Sequence, residues 1–159
     1  MTAPDPHPRD RAEIIALPPV IFAVFVVLGL VLGLSWRLPL PLGGLGLWLG
    51  GGVIAIALTN AGWAIRAMKR QRTEINPRRP TTAIVDTGPF RYTRNPLYLS
   101  LVLLFAGLSL GLESASMLML ALPLVIVLRQ GVIMPEERYL TAKFGDDYRR
   151  YQTRVRRWL

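Results

Sequence analysis

The sequence has no cysteine and only one histidine, His7, among its 159 residues. Without a thiol, disulfides, thiolate metal sites and cysteine nucleophiles are excluded. The histidine lies in a proline-rich leader, so we expect neither a histidine-based metal centre nor a Ser-His-Asp triad. The leader also lacks the pattern of a cleaved signal peptide, because it carries acidic residues and no small-residue cleavage site follows it.

Charged residues are also scarce, at 18% of the chain against about 25% in an ordinary soluble domain. They are absent from residues 14–36, 38–65 and 95–112, and Arg129 is the one charge in 114–134. An uncharged apolar run of about 18 residues or more can cross a bilayer as a helix. The sequence therefore excludes a soluble globular protein and predicts an all-α integral membrane protein with about four transmembrane helices.

Basic residues are distributed unevenly around the four predicted spans, 19–36, 44–63, 97–112 and 116–134. The leader has two, the first loop one, the second loop eight and the third loop none, while Arg129 and the tail together have eight. Because Lys and Arg concentrate on the cytoplasmic side, both termini and the second loop are predicted to be cytoplasmic, with Arg37 as the exception. The net charge of +9 then indicates contact with anionic membrane lipids, and no nucleic-acid partner is expected.

The pattern predicts one membrane domain over residues 1–159. Its parts are a loose leader (1–13), the first two membrane helices (14–65), a basic cytosolic loop (66–95), a helical hairpin (96–134) and an amphipathic cytosolic tail (135–159).

Glycine and proline residues predict how these helices pack against each other and where they begin, kink or end. Gly-x-x-x-Gly pairs at 29–33, 46–50 and 107–111 favour close helix approach. Pro18 is expected to start the first helix and Pro123 to kink the fourth. In the tail, Gly145 is expected to end one helix and Asp146 to cap the next.

Two segments place polar chemistry against the ends of membrane helices. In residues 87–98, turn formers and arginines precede a helix that Pro96 would begin and Asn95 would cap, and such a helix start can hold a carboxylate or phosphate. At the end of the fourth span, Glu136 and Glu137 are costly to bury unless they bind something cationic or polar. The structural alternative for both acids is an ordinary acidic first turn of the tail helix.

These two segments resemble the isoprenylcysteine carboxyl methyltransferase family. The first is Gly88-Pro-Phe-Arg-Tyr-Thr-Arg-Asn-Pro-Leu-Tyr98, and the second is Glu136-Glu-Arg-Tyr-Leu-x3-Phe-Gly-x2-Tyr-x2-Tyr-x3-Val155. The related phospholipid methyltransferases share the second segment. The resemblance covers roughly residues 75–159, about half of the chain, and the first two spans match only as hydrophobic helices.

The resemblance implies an integral-membrane methyltransferase that uses S-adenosyl-L-methionine without a Rossmann domain. The acceptor would be lipophilic and membrane-resident, either the carboxylate of a prenylcysteine-like thioether or a lipid amine, and the cofactor would come from the cytosol. Carried over by position, the catalytic residues are Arg129 and Glu137. The cofactor-binding residues are Thr82, Ala83, Ile84, Val85, Gly88, Phe90, Arg94, Asn95, Pro96, Leu97, Tyr98, Glu136 and Glu137.

This chain departs from the family at two positions. Asn95 stands where the family commonly has histidine, and asparagine cannot titrate near pH 7. The eukaryotic relatives also have an arginine about one turn before the acids. Here Arg129 lies about two turns before Glu136, where it could contact substrate or simply extend to the membrane surface.

The short chain and its Arg-Asn-Pro variant resemble the prokaryotic branch, which places the protein in a bacterial inner membrane. Two other functions stay open on the sequence. A membrane reductase of sterol-reductase type would bind NADPH in place of S-adenosylmethionine. A non-enzymatic adaptor would use its basic face to recruit lipids or partners.

Overall fold

A computed structural model of the chain describes residues 12–73 and 81–158. The predicted leader and part of the basic loop, residues 1–11 and 74–80, lie outside the described residues. The helices are α1 (Pro18–Ser35), α2 (Leu45–Arg70), α3 (Pro96–Gly111), α4 (Ala115–Met119), α5 (Ala121–Leu128), α6 (Met134–Phe144) and α7 (Asp146–Arg154). A 3₁₀ turn (Gly88–Arg91) precedes α3, and a π-helical turn (Arg129–Ile133) joins α5 to α6.

The helices have the length and surface that a bilayer requires. Pro18–Ser35, Leu45–Arg70 and the nearly continuous stretch Ala115–Phe144 are long and apolar enough to cross, and Pro96–Gly111 is a shorter apolar helix. Large apolar side chains such as Val24, Leu47 and Trp48 are exposed, which in water would be unfavourable but suits contact with lipid. The predicted all-α membrane fold is therefore confirmed.

Helices α2 and α3 pack against each other through the predicted glycine motifs. A Cβ atom at Gly50 would overlap the Gly107 carbonyl oxygen and lie 2.5 Å from the Gly111 nitrogen. A Cβ at Gly46 would lie 2.6 Å from the Leu110 carbonyl oxygen. Only hydrogen fits at these two positions, so the backbones come close enough for extensive van der Waals contact.

Helices α3 and α4 form the predicted hairpin, with Leu112, Glu113 and Ser114 between them. The Ser114 hydroxyl accepts a hydrogen bond from the Met117 amide and caps α4. The Glu113 carboxylate accepts one from the Gly44 amide, 3.0 Å away, and so ties the hairpin turn to the start of α2. Both tight connections are therefore at the same end of the bundle.

The fourth span is interrupted where Pro123 predicts a kink. Proline has no amide hydrogen for the carbonyl four residues earlier, and α4 ends at that residue, Met119, before α5 begins at Ala121. A second irregularity is the π-helical turn Arg129–Ile133, which the sequence pattern did not predict. It adds a residue to the turn and so changes which side chains share a face across it.

The first and tail helices begin close to where the pattern places them, with one correction. Pro18 and Pro19 occupy the first turn of α1, as predicted. Gly145 ends α6 with φ +55°, also as predicted, because the left-handed region suits glycine. Asp146, however, is the first residue of α7 rather than its cap; Gly145 holds the cap position and no side chain caps the helix.

Several helix bounds also differ from the predicted partition of the chain. Helix α2 continues to Arg70, so its last turn lies within the predicted basic loop 66–95. The helix of the fourth span continues without a break into the predicted amphipathic tail, where α6 runs from Met134 to Phe144. Residues 155–158 then leave α7 and run back beside Thr93, which brings the end of the chain to the start of α3.

Candidate active site

A cavity of about 70 Å³ lies where α2 ends and α3 begins, against the inner faces of α6 and α7. This is the end of the bundle at which α2 ends and to which the basic tail returns. The lining residues are Met68, Thr73, Thr81, Ala83, Ile84, Val85, Phe90, Arg94, Glu136, Leu140, Tyr148 and Tyr151. Apolar and aromatic side chains surround two opposite charges there, which is the usual character of a small-molecule site.

One wall of the cavity is extended backbone at residues 81–85, held in place by threonine hydroxyls. The Thr73 hydroxyl lies 3.3 Å from both the amide and the carbonyl of Ala83. The Thr82 hydroxyl donates to the Arg72 carbonyl at 2.9 Å, and the Thr81 amide donates to the Tyr139 hydroxyl at 3.2 Å. Ala83, Ile84 and Val85 consequently face the cavity while Thr82 is turned outward and exposed.

The aromatic residues of α7 close the opposite side. The rings of Tyr148 and Tyr151 lie 6.0 Å apart at 51°, and the Tyr151 hydroxyl donates to the Phe90 carbonyl at 2.7 Å. Burial raises the pKa of both tyrosines, and nearby Glu137 raises that of Tyr148 further. Both side chains are therefore neutral at physiological pH, and they serve as rigid apolar walls with a hydroxyl at the tip.

The two adjacent acids of α6 point to different environments. Glu136 lines the cavity, and one of its oxygens accepts a hydrogen bond of 2.6 Å from the Tyr98 hydroxyl. Glu137 does not line it; its carboxylate lies between two arginines. Successive residues on a helix differ by about 100° in direction, and this rotation separates their surroundings.

Glu137 is the centre of an ion cluster with Arg94 and Arg157, in which the Glu137 and Arg94 side chains are 10% exposed and that of Arg157 is 31% exposed. Arg157 contacts both carboxylate oxygens, at 3.1 and 2.6 Å, and Arg94 Nη1 lies 3.3 Å from Oε1. The hydrogen bonds to Glu137 raise the pKa of the Arg157 guanidinium. Removing one of the two arginines would leave the buried Glu137 carboxylate less well compensated, so the cluster fixes the geometry of α3, α6 and residues 156 and 157.

Residues 156 and 157 are bound directly to the start of α3. The Arg94 amide donates to the Arg156 carbonyl at 2.9 Å, and the Thr93 hydroxyl and the Asn95 side-chain amide donate to the Arg157 carbonyl at 3.1 and 2.9 Å. Asn95 is the cap residue of α3 by position, but its side chain makes no capping hydrogen bond. Its contribution is to hold the chain end against the site.

The predicted cofactor residues fall into two groups. Those that line the cavity are Ala83, Ile84, Val85, Phe90, Arg94 and Glu136. Those that surround it without lining it are Thr82, Gly88, Asn95, Pro96, Leu97, Tyr98 and Glu137. Gly88 has φ +61°, a backbone conformation that favours glycine, and it packs on Trp63. The turn at this position therefore accounts for the glycine.

Arg129, predicted as catalytic, does not line the cavity and is exposed. It begins the π-helical turn, and the wider turn removes it from the face that an uninterrupted α-helix would give it with Glu136. The sequence reasoning also missed lining residues, namely Met68, Thr73, Thr81, Leu140, Tyr148 and Tyr151. For the two tyrosines the signal was their spacing of three in the amphipathic tail.

Comparison with known proteins places this site within a family. A model of the phospholipid methyltransferase family matches residues 45–147, which include α2, α3 and most of the cavity wall. The chain belongs to the phospholipid methyltransferase family. An uncharacterized protein of Haemophilus influenzae is 43% identical to it over 63 residues, which are 40% of this chain and all of that protein. The family and the apolar helices together indicate a membrane methyltransferase.

Proposed function

We propose that this phospholipid methyltransferase family member transfers a methyl group from S-adenosylmethionine to the amine of a membrane lipid. The observation that carries the proposal is the cavity itself, which places a half-buried carboxylate, Glu136, and the guanidinium of Arg94, whose side chain is 10% exposed, next to helices that face lipid. A water-soluble donor and a lipophilic acceptor can meet only at such a boundary.

The residues around the cavity fit the chemistry of this donor. Aromatic rings from Phe90, Tyr148 and Tyr151 suit a nucleoside and a sulfonium, because both stack on or lie over π faces. The cavity volume of about 70 Å³ is smaller than the usual 300 Å³ or more of a ligand pocket. A surface groove of about 490 Å³ lies immediately outside, sharing Ile84 and Tyr151 with the cavity. Displacement of these two side chains would join the two spaces.

An amine acceptor fits the cavity better than a carboxylate positioned by Arg129, because Arg129 is exposed and not at the cavity wall. The donor supplies an activated methyl group, and the carbon–sulfur bond breaks as the carbon–nitrogen bond forms. The amine must lose a proton, and Glu136 is the cavity carboxylate that can accept it. In this proposal Glu136, rather than Glu137, is the general base, and Glu137 holds the two arginines in place.

We place the protein in a bacterial inner membrane with both termini in the cytoplasm. The cavity then opens toward the cytosol, from which the cofactor comes, and the lipid acceptor would approach sideways between helices. Alignment of nucleophile and methyl carbon in such a site can contribute about 7–11 kcal/mol to lowering the barrier.

The first test is calorimetric titration of S-adenosylmethionine and S-adenosylhomocysteine into the detergent-purified protein, with NADPH as control. We expect micromolar binding of both sulfur compounds. Labelled methyl transfer is then measured on vesicles containing phosphatidylethanolamine and on soluble phosphoethanolamine, and activity should require the vesicles. Glu136→Gln should lower the transfer rate at least about 100-fold, as expected for loss of a general base.

Glu113→Gln is the matched control, because it replaces an acid at the other end of the bundle and keeps an acceptor for the Gly44 amide. Its transfer rate should equal that of wild type. Binding of NADPH without either sulfur compound would overturn the proposal in favour of a reductase. Full activity on the soluble acceptor would instead contradict the membrane-resident substrate.

A further inference from the structure

We propose that the protein has a lipid site outside the cavity, which binds the headgroup of a phospholipid with a methylated ammonium. It lies on the surface where the 3₁₀ turn (Gly88–Arg91) packs on α2. Trp63 and Tyr92 hold the ammonium there, and Arg66 holds the phosphate. The site goes beyond the proposed function, because binding to it requires neither the cavity nor the transfer of a methyl group.

Two aromatic rings lie next to each other on this surface. The ring centroids of Trp63 and Tyr92 are 6.3 Å apart, and the ring planes are inclined by 50°. The two residues are 46% and 65% exposed, and neither lines the cavity, although Phe90 of the adjoining turn does. An ammonium over an aromatic face is attracted by the ring quadrupole, and two inclined rings can contact one bulky cation together.

The Trp63 ring is held in place by the turn. A Cβ atom at Gly88 would lie 3.1 Å from Trp63 Nε1 and 3.3 Å from the Ala67 Cβ, so the indole packs directly on the backbone of the turn. A ring that is fixed in advance loses little freedom when a ligand binds. Trp48 differs, because it is 79% exposed near the other end of α2 and contacts no aromatic ring within residues 12–73 and 81–158.

Arg66 adds a positive charge beside the two rings. It follows Trp63 by three residues on α2, and residues at this spacing are neighbours on a helix surface. Its Nη1 atom lies 3.9 Å from the position of a Cβ at Gly62, so the guanidinium extends back along the helix to the level of Trp63. Arg66 is exposed and has no acidic partner in the part of the chain that the structure describes. Its planar guanidinium is well suited to a phosphate.

The same face of α2 offers a surface for the acyl chains of such a lipid. Ile56 precedes Trp63 by seven residues, which is about two helical turns, and it is 62% exposed. A lipid whose phosphate lies at Arg66 therefore extends its chains past Ile56 toward the centre of the bilayer.

The combination of rings and guanidinium selects a zwitterionic headgroup with methyl groups on its nitrogen. A phosphate and an ammonium joined by two carbons match a guanidinium beside aromatic rings. A methylated ammonium has few N–H groups or none, so it loses fewer hydrogen bonds to water when it moves onto an aromatic surface. A primary ammonium finds no strong acceptor on the ring faces and should bind less tightly.

The test measures quenching of tryptophan fluorescence by lipids brominated in their acyl chains, which gives relative lipid affinities near each tryptophan. The protein is reconstituted without methyl donor in phosphatidylcholine vesicles. These contain, in turn, brominated phosphatidylcholine, phosphatidylethanolamine, phosphatidylglycerol or diacylglycerol. Replacing Trp36 and Trp48 by Phe leaves Trp63 as the reporter, and replacing Trp36 and Trp63 leaves Trp48 as the control. Trp158 is a constant background in both variants.

At Trp63, phosphatidylcholine should bind about two- to fivefold more tightly than phosphatidylethanolamine, the range expected for a cation–π contact at an exposed site. The two lipids should bind equally at Trp48. Tyr92→Leu should remove the preference at Trp63, and Tyr92→Phe, which keeps the ring, should retain it. Equal affinities at Trp63, or a preference that survives Tyr92→Leu, would overturn the proposal.

Arg66→Gln tests the phosphate contact. It should weaken the binding of both phospholipids relative to diacylglycerol, which has no phosphate, and leave their ratio unchanged. Arg37→Gln, which replaces an exposed arginine at the other end of the bundle, is the matched control and should change neither quantity. Phospholipid binding that stays the same in Arg66→Gln would show that Arg66 does not hold the phosphate.

A preference for phosphatidylglycerol, with equal binding of the other two phospholipids, would show that the surface attracts only anionic headgroups, and the proposal would be wrong. Because no methyl donor is present, none of these failures bears on methyl transfer in the cavity. Conversely, absence of methyl transfer would leave the lipid preference at Trp63 unchanged.

Discussion

At the scale of single residues, the hydrogen bond from Tyr98 to Glu136 connects the bundle core to the cavity. Tyr98 belongs to the buried apolar cluster around Phe105, Leu124 and Leu128, and its hydroxyl reaches Glu136 at 2.6 Å. Tyr98→Phe keeps the ring and removes the donor. We expect a loss of about 1–3 kcal/mol of unfolding free energy, because the half-buried Glu136 carboxylate loses a hydrogen-bond donor. Thermal unfolding in detergent measures it.

Tyr92→Phe is the control for this change, because Tyr92 is 65% exposed and stacks loosely on Trp63. Its stability should stay within about 0.5 kcal/mol of wild type, as for most surface substitutions. Equal melting temperatures for Tyr98→Phe and wild type would show that Glu136 is not held by this bond.

Asn95 shows what single residues in a sequence do not reveal. Its position before Pro96 predicted a helix cap, and its amide is used instead on the Arg157 carbonyl, 62 residues later. A cap is a local pattern, whereas this contact depends on how the chain end returns. The same reasoning explains why Glu137 could not be assigned to its arginine cluster from spacing alone.

At the scale of helices, the contact between α2 and α3 depends on glycine at position 50. Gly50→Ala would place a methyl group against backbone atoms of Gly107 and Gly111, which cannot change rotamer to make room. We expect a loss of about 1–3 kcal/mol of unfolding free energy from overpacking. Gly51→Ala, one residue later, meets no atom within 4 Å and should be neutral or stabilising, since alanine favours helix.

Thermal unfolding of both variants in the same detergent makes the comparison, because each adds one methyl group to the same helix. If the two variants had the same melting temperature, the close approach of α2 and α3 at Gly50 would be refuted.

The helices themselves could be predicted because their causes are local. The uncharged runs predicted the membrane fold, and Pro18 predicted the start of α1. Pro123 predicted the break before α5, and Gly145 predicted the end of α6. The π-helical turn Arg129–Ile133 has no such signature, and it moved Arg129 off the expected face.

The candidate site was predicted only in part, because local patterns identify some of its residues and tertiary packing supplies the others. Ile84, Phe90, Arg94 and Glu136 lie in contiguous motifs and do line the cavity. Met68 and Tyr148 line it too, but they come from the ends of α2 and α7, and only tertiary packing brings those ends together.

At the scale of the whole molecule, the cavity, the tail and the described basic residues next to the end of α2 and the start of α3, such as Arg70 and Arg94, lie at one end of the bundle. The loop between α1 and α2 and the hairpin turn at Glu113 lie at the other, joined by the bond from Gly44 to Glu113. Lysine and arginine resist translocation, so the basic end should face the cytoplasm. This orientation is also the one that gives the cavity access to a soluble cofactor.

Orientation can be measured directly because the chain has no cysteine of its own. We expect Pro41→Cys, in the exposed loop between α1 and α2, to react with a membrane-impermeant maleimide on intact spheroplasts. Thr153→Cys, exposed on α7, should react only after the membrane is made permeable. The two variants control for each other, since both side chains are exposed and both should label fully in detergent. Labelling of Thr153→Cys on intact spheroplasts would reverse the topology and leave the cavity without access to a cytosolic methyl donor.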